Sequence, residues 1–123
     1  MIGGKGDIPQ NPNTRGSVPI EPQTAEELMR SRFRAFRDGD ATWLLRTWHP
    51  STRPATLDLD DNPLWRGLQI VDTVGGGIDD ADGIVEFRAT YRTDEGVGIL
   101  HERSRFVRER GRWFYVDGDV RAS

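Results

Sequence analysis

The residues whose types and spacing suggest chemistry lie in the segment ILHERSRFVRERGRWFYVDG at positions 99–118. Successive side chains of a strand point to opposite faces, so a strand here places Glu102 on the same face as Ser104 and Phe106. A carboxylate on an apolar sheet face suits general acid or base catalysis near neutral pH. The structural alternative makes Glu102 a buried acceptor for an arginine such as Arg53 or for backbone amides of residues 48–53.

Other polar and aromatic side chains are expected to meet Glu102 in one pocket. His49 follows the second predicted helix and is the candidate for a second titrating group. The sequence alone assigns no catalytic role, so Glu102 and His49 are candidates only. Trp48 and Tyr115 are expected in the pocket wall. The other members of this aromatic set are expected in the core, namely Trp65, Phe87, Phe106 and Trp113. The complete predicted lining is Trp48, His49, Arg53, Tyr91, Glu102, Ser104, Tyr115 and Asp117.

Composition narrows the function classes. The chain of 123 residues has a net charge of −3 and no cysteine, which excludes disulfides, thiol catalysis and thiolate metal sites. Its two histidines lack a metal-binding spacing, so no metal and no cofactor are expected. No apolar run approaches the roughly 20 residues of a membrane span. A cytoplasmic location is therefore the default expectation.

Arginines cluster on the first predicted helix and along the hairpin. A basic patch of this kind is typical of phosphate or nucleic-acid binding. In an acidic chain with many aspartates, we favour a solvated and charge-balanced face, and no nucleic-acid partner is predicted. The helical cluster consists of Arg30, Arg32, Arg34 and Arg37.

The strand registers follow from the turns. A two-residue turn at Arg110–Gly111 predicts the cross-strand pairs Glu109–Arg112, Phe106–Tyr115, Ser104–Asp117 and Val107–Phe114. A preceding strand at residues 84–92 alternates cleanly, and a one-residue slip would bury its charged side chains. The favoured register places Val85, Phe87, Ala89 and Tyr91 beside Phe106, Ser104, Glu102 and Leu100. A further strand is predicted at residues 65–74.

Two short helices are predicted ahead of the strands. Thr24 and Glu27 form a capping box at the start of the first helix. Gly39 suits the left-handed cap that ends it, and Asp40 caps the second helix immediately. The inner face of the second helix is predicted to consist of Ala41, Leu44, Leu45 and Trp48.

The element order is therefore helix, helix and four antiparallel strands. Helices on one face of such a sheet define an α+β domain, and a strongly bent sheet makes it a cone whose mouth holds a pocket. We predict this domain at residues 23–120. Residues 1–22 are rich in Gly, Pro, Asn and Gln without periodicity, which predicts a flexible N-terminal tail.

Three runs of residues resemble the YchJ-like family, namely TAEELMRSR at 24–32, WHPSTRP at 48–54 and HERSRFV at 101–107. The runs GRW at 111–113 and YVDG at 115–118 complete the similarity. The resemblance implies an NTF2-like fold, a cystatin-type cone with N-terminal helices packed on a curved four-stranded antiparallel sheet. Family members usually carry a cysteine-rich SEC-C zinc motif ahead of this domain. Here residues 1–22 occupy that place without cysteine or histidine, so zinc is not carried over, and the motif was either lost or removed.

Three functions are open at this point. The leading one is a non-catalytic binding or accessory domain that accepts a small molecule or a peptide in the pocket. The second is an enzyme of isomerase, dehydratase or hydrolase type, with Glu102 as general base and His49 or Tyr115 as partner. The third is a scaffold that forms a homodimer through the outer sheet face, where Val107, Phe114 and Val116 are expected.

Overall fold

The computed structural model describes residues 20–122 and shows two helices followed by four strands. The helices are α1 (Ala25–Asp38) and α2 (Ala41–Arg46). The strands are β1 (Leu64–Gly75), β2 (Asp82–Thr93), β3 (Gly96–Glu109) and β4 (Arg112–Val120). This confirms the predicted α+β class and element order. The first 19 residues of the predicted tail lie outside the described part of the chain.

Local sequence signals set the ends of α1. The Thr24 side chain accepts the Glu27 N–H at 3.1 Å, and the Glu27 carboxylate accepts the N–H of Gln23 at 2.8 Å. The helix ends at Gly39, whose φ of 74° lies in the left-handed region that glycine adopts without strain. Asp40 then caps α2 by accepting the Trp43 N–H at 3.0 Å.

Helix α2 is shorter than predicted and buries a different face. Its buried residues are Trp43 and Leu44. The prediction placed Ala41, Leu44, Leu45 and Trp48 on the buried face, so only Leu44 is common to both sets. The chain leaves the helix because the backbone at Thr47 and His49 pairs with Tyr115. The Tyr115 N–H donates to the Thr47 carbonyl, and the His49 N–H donates to the Tyr115 carbonyl, both at 2.8 Å.

The four strands form one antiparallel sheet in the order β1–β2–β3–β4. Arg110 and Gly111 have φ values of 54° and 77°, as a two-residue type I′ hairpin turn requires. The predicted pairs Glu109–Arg112, Val107–Phe114 and Phe106–Tyr115 are confirmed.

Two registers differ from the prediction. Phe87 pairs with Glu102 rather than with Ser104, because the β2–β3 turn is tighter than expected and pairs Thr93 with Gly96. The shift is two residues, so every side chain keeps its predicted face. In β4 the pairing jumps from Phe106–Tyr115 to Arg105–Asp117, so residue 116 forms a bulge.

The main core lies between α1 and the inner face of the sheet. Leu28 of α1 and Val85 of β2 are completely buried there, and Trp113 of β4 is 1% exposed. The Trp113 indole N–H donates to the Gln23 carbonyl at 3.1 Å, which ties the start of α1 to β4. Apolar burial and this bond hold α1 against the strands that carry the predicted site. Within residues 20–122, no helix is long and apolar enough to cross a membrane.

Candidate ligand-binding cavity

A cavity of about 140 Å³ lies between α1 and the inner face of the sheet. Most of its wall is apolar, and the polar side chains there are those of Arg32, Glu102 and Ser104, with the hydroxyl of Tyr115. The residues that line it are Met29, Arg32, Phe33, Phe36, Trp48, Trp65, Phe87, Ala89, Leu100, Glu102, Ser104 and Tyr115.

Arg32 supplies a buried positive charge to this cavity. It projects from the middle of α1 and is only 3% exposed. Its Nη1 donates to the Leu44 carbonyl at 2.8 Å and to the Thr47 hydroxyl at 2.7 Å, and both acceptors are neutral. The guanidinium carbon lies 5.2 Å from the ring centroid of Trp48 and 4.6 Å from that of Tyr115. These aromatic faces stabilise the cation where water is excluded.

Burial dominates the ionisation of Arg32. Loss of solvent lowers the pKa of Arg32 to about 10, while the negative charge of Glu102 opposes that effect. The side chain therefore stays positively charged at neutral pH. Among residues 20–122, no carboxylate lies within the 4.0 Å of Arg32 that would make an ion pair. A buried arginine without a directly paired carboxylate is unusual in proteins.

Glu102 enters the cavity from β3. Its Oε2 accepts a hydrogen bond from the Ser104 hydroxyl at 2.9 Å and lies 3.4 Å from the Tyr115 hydroxyl. Within residues 20–122, Oε1 receives no hydrogen bond. Gly118 makes room for this carboxylate, because a Cβ there would lie 2.1 Å from Oε2. The tight register of β3 and β4 thus fixes where the carboxylate sits.

Tyr115 connects the two charged groups. Its ring packs against the guanidinium of Arg32 and its hydroxyl reaches Glu102. Burial raises the pKa of Tyr115 to about 12, and the negative charge of Glu102 adds to that effect. The phenol therefore stays neutral over the physiological pH range and acts as a hydrogen-bond donor.

Four of the eight residues predicted for the pocket line this cavity, namely Trp48, Glu102, Ser104 and Tyr115. Asp117 lies elsewhere, because the bulge at residue 116 turns it to the opposite face, where it binds Arg105. Tyr91 lies beyond the end of the cavity. Its ring covers Gly98 and meets Trp65 edge-on at 5.4 Å between centroids.

His49 and Arg53 also lie outside the lining. The His49 ring nitrogens contact the Ser51 hydroxyl at 2.7 Å and the Glu109 carboxylate at 3.1 Å. Arg53 turns back to donate to the Trp48 carbonyl at 2.9 Å. The structure therefore brings neither side chain to Glu102. The cation near Glu102 is Arg32 instead.

Arg32 is the site residue that sequence reasoning missed. Its charge predicts a solvated helix face shared with Arg30, Arg34 and Arg37. The signal for its burial was present, because Arg32 lies four residues after Leu28, three after Met29 and four before Phe36. These are the spacings at which helical side chains share a face. The position is thus inside the apolar stripe of α1.

The outer sheet face carries a separate ionic network. His101 is buried there, and its Nε2 lies 2.7 Å from the Glu86 carboxylate. Arg103 bridges Glu86 at 2.8 Å and Asp72 at 3.2 Å. Hydrogen bonds from His101 and then Arg103 lower the pKa of Glu86. This network lies on the side of the sheet opposite Glu102, because neighbouring side chains of β3 point to opposite faces.

A family model described as the middle NTF2-like domain of YchJ matches residues 24–118. The chain belongs to the YchJ-like family. This confirms the family and the NTF2-like fold expected from the sequence. The matched range begins at the cap of α1 and ends in β4, so it contains every residue that lines the cavity.

Curated relatives of this YchJ-like chain are UPF0225 proteins. One from Streptomyces coelicolor is 58% identical over 96 residues, which cover 78% of this chain and 74% of that protein. One from Chromobacterium violaceum is 47% identical over 100 residues, which cover 79% and 74% of the two chains. The shared length is therefore most of this YchJ-like domain and about three quarters of each relative.

Two solved structures share the fold of this YchJ-like domain. The solution structure of a SEC-C motif containing protein from Rhodopseudomonas palustris aligns with a TM-score of 0.71 and 29% identity, covering 84% of this chain and 83% of that one. The crystal structure of a SEC-C motif containing protein from Psychrobacter arcticus gives 0.66 and 28%, covering 86% and 66%. Both neighbours are SEC-C proteins, as the family resemblance implied.

Proposed function

We propose that this domain is a binding module that holds a small molecule in the cavity between α1 and the sheet. The observation that carries the proposal is the buried Arg32, which faces this cavity with neutral hydrogen-bond partners and no directly paired carboxylate among residues 20–122. Burying a charge costs free energy. Residues that break such a stability rule are commonly retained for function.

The cavity sets the size of the bound molecule. An engineered apolar cavity of about 150 Å³ holds one benzene molecule, and this one measures about 140 Å³. The part of the molecule that the cavity encloses is therefore no larger than about one six-membered ring. A peptide partner would enter with a single side chain, so a free small molecule is the better match.

The test is a titration of the ¹⁵N-labelled protein with four one-ring compounds: toluene, benzoate, benzylamine and benzamide. We expect at least one of them to shift the amide signals of Ala89, Leu100 and Ser104, which lie in the cavity wall. Ala89→Leu fills the cavity and should abolish those shifts, with Leu100→Phe as a second filling variant. Thr90→Leu is the matched control on the opposite face of the same strand. Shifts that survive filling, or none with any compound, would contradict the proposal.

A second candidate function is proton transfer with Glu102 as general base and Tyr115 as its partner. The supporting observation is the Glu102 Oε1, which has no hydrogen-bond donor among the described residues. Exchange of the acidic C–H of nitroethane with D₂O, followed by NMR, measures such a base directly. Exchange that Glu102→Gln abolishes supports the enzyme, and exchange at the buffer rate counts against it.

Self-association and location complete the proposal. We propose that the domain has no nucleic-acid partner, as its net charge of −3 favours, and that it works in the cytoplasm, the default expectation from its sequence. Val107 and Phe114 stay partly exposed on the outer sheet face, and Val116, the bulge residue next to them, is also partly exposed; this supports a homodimer there. The His49 ring covers part of Phe114, at 5.8 Å between centroids. Light scattering should give twice the chain mass of 13.9 kDa for a dimer, and a monomer at high concentration would remove this part.

A further inference from the structure

The polar groups of the cavity define which class of one-ring molecule it accepts, an inference that rests on the binding function proposed above. Glu102 offers one acceptor atom, Oε1, that no described residue uses. Its other oxygen is already occupied by the Ser104 hydroxyl at 2.9 Å. The β3 side of the cavity therefore presents a free hydrogen-bond acceptor of negative charge.

The α1 side presents donors instead. Arg32 uses Nη1 for its two recorded bonds, to Leu44 and Thr47. Its Nε and Nη2 make no hydrogen bond to residues 20–122. Among residues 20–122, the fully buried side-chain atoms without a hydrogen-bond partner are Trp48 Nε1 and His101 Nδ1. The Nε and Nη2 of Arg32 do not belong to this group, so neither atom is fully buried. These N–H groups therefore remain accessible to a molecule in the cavity, which Arg32 lines.

The walls favour a flat molecule. Phe33, Phe87 and Trp65 contribute aromatic surface to the lining, and Trp48 and Tyr115 complete it beside the guanidinium. Aromatic rings pack against planar groups in offset or edge-on arrangements. A planar ring thus gains contact over its faces while its substituent reaches the polar groups.

Charge balance selects among flat molecules. The cavity holds one positive side chain, Arg32, and one negative side chain, Glu102. An anion that gains from Arg32 is repelled by Glu102, and a cation that gains from Glu102 is repelled by Arg32. A neutral group with both an acceptor and an N–H donor forms a hydrogen bond with Arg32 and another with Glu102, so each buried charge has a partner.

We propose that the cavity recognises a neutral, planar, single-ring molecule that carries a carboxamide or lactam group. The carbonyl oxygen accepts from Arg32, and the N–H donates to Oε1 of Glu102. Ser104 and Tyr115 hold Oε2, which leaves Oε1 as the oxygen that Glu102 can offer to a molecule in the cavity that it lines.

The experiment compares dissociation constants for benzamide, benzoate, benzylamine and toluene at neutral pH, from the amide shifts of Ala89 and Leu100. The four compounds share one ring and differ in the polar group. We expect benzamide to bind about tenfold more tightly than toluene, as one well-formed hydrogen bond in a water-poor site provides. In Glu102→Gln the repulsion of anions disappears while Arg32 remains, so benzoate should overtake benzamide. Ser31→Ala, on the α2-facing side of α1, should keep the wild-type order.

Each result separates the two proposals. If none of the four compounds shifts the cavity amides, both the binding function and this ligand class are refuted. If toluene binds as tightly as benzamide, or if benzoate or benzylamine binds most tightly to the wild-type protein, the binding function stands and the ligand class is overturned. The wild-type comparison decides by itself, so an unstable Glu102→Gln variant does not prevent the test.

Discussion

Gly118→Ala is the substitution whose effect the site geometry predicts most directly. The φ of Gly118 is outside the positive region, so the backbone accepts alanine. The new Cβ would lie 2.1 Å from Oε2 of Glu102, 2.8 Å from its Cδ and 2.9 Å from the Ser104 hydroxyl oxygen. Two heavy atoms that are not bonded to each other cannot lie as close as the new Cβ and Oε2 would. The carboxylate must therefore move, and it loses its contact with Ser104.

The magnitude follows from three contributions. Displacing the Glu102 carboxylate from its place beside Gly118 costs about 1–3 kcal/mol, the range for overpacked sites. The lost hydrogen bond to a charged acceptor costs about 1.5–3 kcal/mol, although part is regained when the carboxylate reaches water. Alanine stabilises by about 0.4–1 kcal/mol because it restricts the unfolded chain. The gain from alanine and the return of the carboxylate to water together offset most of the lost hydrogen bond, so the displacement cost remains. We therefore expect Gly118→Ala to lower the free energy of unfolding by about 2 kcal/mol.

A double-mutant cycle with Glu102→Ala isolates the clash, measured by urea unfolding at neutral pH. Without the carboxylate the nearest neighbour of the Cβ is the Ser104 oxygen at 2.9 Å, so the cost of Gly118→Ala should fall by about 1–2 kcal/mol, which is a typical coupling for residues in contact. Gly67→Ala is the matched control in β1, because its Cβ would have one near neighbour, the Thr90 hydroxyl at 3.2 Å. Equal costs of Gly118→Ala in both backgrounds would refute the placement of Glu102.

Three further outcomes follow from the ionisable groups. Because burial raises the pKa of Tyr115 to about 12, the folded phenol keeps a proton that the unfolded chain loses, so its stabilisation is present at lower pH and lost between about pH 10 and 12. Tyr115→Phe should therefore become more stable relative to wild type over that interval, and a constant difference in urea unfolding would argue against burial. Burial lowers the pKa of Arg32 to about 10, so above that pH the unfolded chain holds a proton that the folded chain has lost, and the free energy of unfolding rises with pH. Arg32→Met should remove this rise, and an unchanged slope of stability against pH would show an exposed guanidinium. On the outer face, the lowered pKa of Glu86 stabilises the fold above the ordinary glutamate pKa and is lost as the pH falls. Glu86→Gln should flatten the acid limb of the urea profile, and a profile as steep as wild type would disprove the network with His101.

Much of the fold was predictable because it depends on local signals. The capping box at Thr24, the left-handed Gly39 and the Arg110–Gly111 turn each determine the backbone within a few residues. Strand alternation assigned Glu102 and Ser104 to the inner face. An even register shift in β2–β3 left that assignment intact, since side chains alternate with a period of two.

The rest of the site depends on longer-range effects. No glycine or other turn residue at position 116 predicts the bulge there, yet the bulge moves Asp117 to the other face of the sheet. His49 and Arg53 are held by contacts with Glu109 and with the Trp48 carbonyl, which sequence spacing does not report. The charge of Arg32 predicts an exposed side chain, whereas its helical spacing places it in the apolar stripe of α1, and the structure follows the spacing.

The most direct measurement is of intermolecular NOEs between benzamide and the methyl groups of ¹³C-labelled protein. If the molecule occupies the cavity, the ring protons should give NOEs to the methyls of Ala89 and Leu100, which line it. The NOEs to the Ala89 methyl should vanish in Leu100→Phe, and the NOEs to both residues should persist in Thr90→Leu. NOEs confined to exposed methyls such as those of Val97, or unchanged NOEs after the cavity is filled, would contradict a ligand site between α1 and the sheet.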